Sequence, residues 1–162
     1  EMHYLNTSDG PLRARATLNA HAYPEGTNYQ RAAAFITYNT QISIDPLSNG
    51  TAGGTCAVPS NAQFFALSTH AHKQATLTQI NDGANMVFQS DSWDHPGAIE
   101  YLTAPHFTFA AGELTYRCDY YNPTDRQVTE GSSAEFDEMC MAVGYFFPAT
   151  GPKLCVNSTV VF

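Results

Sequence analysis

Positive charge is scarce in this sequence: seven Lys and Arg stand against fifteen Asp and Glu in 162 residues, a formal net charge of −8. The cations occur singly from Arg13 to Lys153. No basic stripe exists to neutralise phosphates, so nucleic acid and anionic membrane are poor partners. Long hydrophobic runs are also missing. Stretches such as Ala32 to Ile36 and Met141 to Pro148 fall far short of the roughly 20 residues of a membrane helix, and the chain reads as soluble. None of the four cysteines lies in a CxxC pair, which argues against zinc ribbons and thioredoxin-like chemistry. No GxSxG elbow accompanies the Ser, His and Asp residues, so a serine hydrolase of that kind is set aside. Repeats, low-complexity tracts and linkers are absent, and helical periodicity is weak throughout.

What is present is apolar and aromatic. The chain is 43% hydrophobic, 12% aromatic and only 14% charged, a composition that folds rather than stays disordered. Its length is that of one ordinary domain, 1–162. An even number of cysteines, Cys56, Cys118, Cys140 and Cys155, favours two disulfides and an oxidising compartment, secreted or periplasmic. The chain starts at Glu1 with no initiator Met and no signal peptide, which reads as a processing or engineered boundary and is silent about compartment.

Short β-rich stretches recur between turn clusters such as Asp45-Pro46, Asn81-Asp82-Gly83 and Asn122-Pro123. Strands are expected at Met2 to Leu5, Arg13 to Ala22, Ala33 to Tyr38, Gln41 to Ile44, Gly53 to Val58, Gln63 to His72 and Ala75 to Ile80. Further strands are expected at Met86 to Gln89, His106 to Phe109, Glu113 to Tyr120, Glu138 to Phe147 and Thr159 to Phe162. Such spacing predicts an all-β fold, an antiparallel β-sandwich of jelly-roll type. Ser132 to Glu135 fits a capping box but supports no more than a short turn before Met139.

The chemistry centres on His70-Ala71-His72. Side chains alternate along a strand, so both imidazoles project to one side at a spacing that can chelate one metal. Met139, in Glu138-Met139-Cys140, carries a thioether that favours Cu(I), whereas imidazole suits both copper oxidation states. The plain alternative is that Met139 fills a gap in the core. Met139 and Cys140 face opposite sides of a strand, so either could be the inward one. Asp137 and Glu138 would likewise point apart, which gives a glycosidase no particular support.

The motifs taken in order resemble a known family. They are His3-Tyr4 followed by Asn6, Ser68-Thr69-His70-Ala71-His72, Gly112-Glu113-Leu114 leading to Cys118, Glu138-Met139-Cys140 and a closing Leu154-Cys155. Together they resemble the copper type II, ascorbate-dependent monooxygenases, the family of dopamine beta-hydroxylase and peptidylglycine alpha-hydroxylating monooxygenase. That resemblance implies the second of two jelly-roll domains, in which His70, His72 and Met139 hold one copper, the ion that binds O2 and hydroxylates a C–H bond with electrons from ascorbate. It also implies disulfides Cys56–Cys155 and Cys118–Cys140, the second tethering the strand of Met139. His3 would be an orphaned ligand of the other copper, whose partner histidines belong to a missing N-terminal copper domain. Residues 1–10 then resemble the last strand of that domain and 11–162 the complete second one, impaired in turnover on its own. His21, His95 and His106 match no ligand and are expected to be structural or on the surface.

Departures bear on the small-molecule substrate. Peptide-amidating members carry an Arg two residues before the HxH, where this chain has Ser68, and Asn and Tyr after the EMC, where it has Met141 and Val143. Groups to hold a peptide carboxylate are missing, so a smaller or more apolar molecule is expected. The alternatives are a non-catalytic extracytoplasmic copper carrier and a metal-free interaction sandwich with HxH as surface decoration. Sequons at Asn6, Asn49 and Asn157 fit a secreted protein.

Overall fold

Segments that alternate apolar and polar residues around Phe35, Phe64, Leu114 and Phe146 need a sheet with one buried face. Each is a strand in the computed structural model, which describes residues 6–162. The strands are β1 (Ala33–Tyr38), β2 (Ser43–Ile44), β3 (Asn49–Ala57), β4 (Gln63–Ala71), β5 (Ala75–Asp82) and β6 (Asn85–Ser90). They continue with β7 (Ile99–Glu100), β8 (Glu113–Tyr121), β9 (Val128–Thr129), β10 (Cys140–Phe147), β11 (Lys153–Val156) and β12 (Thr159–Val160). No helix occurs among the described residues.

The strands form a six-stranded sheet, β12-β11-β1-β10-β4-β7, a four-stranded sheet, β3-β8-β5-β6, and the small ribbon β2-β9. The two larger sheets meet as a sandwich. Phe35, Phe64 and Phe146 fill the space between them with edge-on and tilted ring contacts at 5.7–6.4 Å, geometry that adds to the gain from burial. Both disulfides cross from sheet to sheet, Cys56 in β3 to Cys155 in β11 and Cys118 in β8 to Cys140 in β10.

Among the differences from the sequence expectation, three concern the shape of the sheets. Arg13 to Ala22 is not a strand but an exposed segment without regular structure. Its alternate positions are mostly alanines, which gain little on burial, and Leu18 is left 84% exposed. His106 to Phe109 reduces to a single bridge, Phe64↔Phe107, because β7 takes the adjacent edge of β4 at Ala66 and Leu67. The sheets are also not wholly antiparallel. β10 runs antiparallel to β1; the chain reverses at 148–152 and lays β11 on the other side of β1, which makes that pair parallel.

Candidate metal centre

β4 and β10 are central neighbours, and their register builds the site. Ala71 pairs with Cys140 and His70 with Met141. Ala71 and Cys140 are buried between the sheets at 1% and 0% exposure, so alternation turns His70 and Met141 to the opposite, outer face. Of the alternatives left open above, Cys140 is the residue bonded inward, to Cys118 across the sandwich, and Met139, just before β10, is buried at 6% exposure. The rings of His70 and His72 sit 5.2 Å apart, nearly perpendicular. His72 is buried, while His70 is half-buried.

His72 is oriented by the segment that follows β9. Its Nδ1 lies 3.0 Å from the Asp137 carbonyl oxygen. An Nδ1–H donated there selects the tautomer whose Nε2 carries the lone pair, the arrangement usual for a metal-binding imidazole. Asp137 is itself fixed, because its carboxylate accepts the Ser133 backbone N–H at 3.1 Å and its own N–H donates to the Ser133 carbonyl at 2.8 Å. Gly131 makes this closure possible: a Cβ there would stand 2.4 Å from the Asp137 carboxylate. Ser133, not Ser132, accepts the capping bond, from the Phe136 N–H at 3.1 Å, and the result is the short turn expected.

Glu138 joins the two halves of the site. Its buried carboxylate takes the backbone N–H of His72 at 2.9 Å and of Met139 at 3.3 Å on one oxygen, and that of Gln74 at 2.6 Å on the other. One oxygen shared by two donors brings the backbones of His72 and Met139 side by side. Burial pushes the Glu138 carboxyl up to about 7, opposed by the three backbone N–H donors. From the opposite sheet, Tyr120 Oη donates to the Met139 carbonyl at 2.9 Å. Burial, reinforced by the Glu138 carboxylate, raises the Tyr120 pKa and keeps the phenol a donor. β8 thus holds the strand of Met139 twice, through Tyr120 and through the Cys118–Cys140 bond.

Both Glu138 oxygens accept, so an amide must set its NH2 against a backbone N–H. Glu138→Gln is expected to destabilise the domain by about 2–3 kcal/mol and lower Tm by roughly 5–10 °C. Calorimetry measures it, and an unchanged Tm would show that the carboxylate holds nothing together.

Among the described residues, no three His, Cys, Asp or Glu side chains converge. Met139, whose backbone N–H shares a Glu138 oxygen with that of His72, carries the candidate thioether. A family profile described as copper type II ascorbate-dependent monooxygenase, C-terminal domain, matches residues 32–161. The chain belongs to this family. No curated protein matches it. The family is copper- and ascorbate-dependent, and the candidate residues, two imidazoles and a thioether, are of a chemistry that suits copper. Its two disulfides fit an oxidising compartment.

The remaining candidates stand apart from this centre. His3 lies outside the described residues. His95 is 88% exposed beside Asp94, 3.1 Å away, and His21 is exposed. His106 packs edge-on against Phe147, with its Nδ1 2.7 Å from the Tyr101 carbonyl oxygen. Sequence reasoning missed Glu138 and Tyr120 as supports of the site. For Glu138 the available signal was a carboxylate set in an apolar strand beside a candidate ligand.

Proposed function

We propose that this monooxygenase domain carries the oxygen-binding copper, held by His70, His72 and Met139, and hydroxylates a C–H bond of a small molecule. The observation that carries the reading is the shared Glu138 oxygen, which fixes the His72 and Met139 backbones together while His70 stands 5.2 Å from His72. Bound copper would supply the one-electron chemistry that uses O2, with ascorbate as the source of electrons.

The chain's own residues position and select. Asp137 sets the His72 tautomer, Tyr120 and Glu138 fix the backbone at Met139, and the surrounding face selects substrate. On that face Ser68 pairs with Val143 and His70 with Met141, and Ile36 lies beyond Val143. These neighbours carry no cation to hold a carboxylate, which favours an uncharged, apolar substrate. The Ser68 hydroxyl is already used, donating to the Gly97 carbonyl at 2.5 Å.

The partner in this reading is an N-terminal domain whose two histidines complete a second copper site with His3. Residues 1–10 are then the end of that domain, the fold is of jelly-roll type, and the protein is secreted or periplasmic. This chain alone is expected to bind copper yet sustain no ascorbate-driven O2 consumption, whereas a two-domain form with an apolar C–H substrate consumes O2 in step with product. A two-domain form that holds both coppers and consumes none would make this a carrier domain.

A further inference from the structure

We infer that Met141 is a second sulfur donor of the metal centre, giving it two imidazoles and two thioethers; the inference rests on the copper reading above. Three observations lead to it. Met141 is the direct cross-strand partner of His70, and such partners have Cβ atoms about 4.5–5.5 Å apart, within reach of a long flexible side chain. Its strand neighbours Cys140 and Ala142 are both 0% exposed, so Met141 projects from the outer face and fills no gap between the sheets. That removes the ordinary reason for a methionine at this position. Finally, the residue that follows β4, His72, and the one that precedes β10, Met139, are both buried and have their backbones tied by the shared Glu138 oxygen. Two histidines and two methionines are thus gathered at the adjoining ends of β4 and β10.

A second thioether has a chemical consequence. Soft donors favour Cu(I), so an ion held by two thioethers as well as two imidazoles would be kept in the reduced state and shielded from other ligands, with Met141 as the shielding residue. Replacing it is expected to weaken Cu(I) binding while making bound copper more accessible to small exogenous ligands.

Methionine methyl NMR tests this in the full chain. With 13C-methyl methionine and one equivalent of Cu(I), the resonances of Met139 and Met141 should both shift, assigned through Met139→Ile and Met141→Ile. The signal of Met86, which is 56% exposed on β6, should stay in place. Competition with a Cu(I) chelator should show about a tenfold loss of affinity in Met141→Ile, with Tm retained. A shift of Met139 alone, with undiminished affinity in Met141→Ile, overturns the role of Met141 and leaves the copper reading intact. If neither methyl moves, both fall.

Discussion

Replacing Cys56 and Cys155 together by alanine is expected to remove about 4–5 kcal/mol of stability, the loop-closure value for a crosslink spanning about 100 residues. The two cysteines are 99 residues apart in sequence and join β3 of one sheet to β11 of the other. A loss of that size approaches the whole stability of many domains and should lower Tm by roughly 10–20 °C. The bond also secures the parallel β1–β11 pairing, in which β11 has only four residues. The second disulfide behaves differently. Cys118 and Cys140 are separated by 22 residues, so its removal costs about 3 kcal/mol, but it adjoins Met139. Loss of Cys118–Cys140 should therefore weaken copper binding more than loss of Cys56–Cys155, even though it unfolds the protein less. Thermal scans and copper titrations of the two double variants make the comparison, and a reversed order for copper would detach that disulfide from the site.

Met139→Ile is expected to lower Cu(I) affinity at least about tenfold, roughly 1.4 kcal/mol, while leaving the fold in place. Met139 is 6% exposed, and an apolar side chain of similar volume at such a position costs under about 1.5 kcal/mol. Its backbone bonds to Glu138 and Tyr120 do not involve the side chain and survive the change. Cu(II) binding should suffer less, because imidazole serves both oxidation states and the thioether prefers the reduced one. The contrast separates a ligand from a core methionine, whose loss would lower Tm and leave the Cu(I)-to-Cu(II) preference unchanged. Unchanged Cu(I) affinity would remove Met139 from the site.

Much of the fold was legible because long strands carry their own pattern. β1 lies where alternation around Phe35 put it, and β4 and β8 agree with expectation to within one residue. β7, β9 and β11 escaped notice because each has two to four residues and owes its existence to a partner strand rather than to its own sequence. Arg13 to Ala22 misled for the opposite reason: it alternates, but its alanines give no apolar face worth burying. At the candidate centre, the histidine pair was visible from the period of a strand. The work of Glu138 was not, since its carboxylate serves backbone donors 64 and 66 residues away, and those become neighbours only when β4 and β10 pair. The parity of Met139 and Cys140 was likewise open until the Cys118 bond placed Cys140 between the sheets.

X-ray absorption of the protein titrated with copper and then reduced tests the copper site most directly. One equivalent should bind tightly, and the reduced spectrum should contain both imidazole nitrogen and thioether sulfur scattering. Two equivalents bound with equal strength, or a reduced spectrum with nitrogen and oxygen alone, would contradict a single copper held by His70, His72 and Met139.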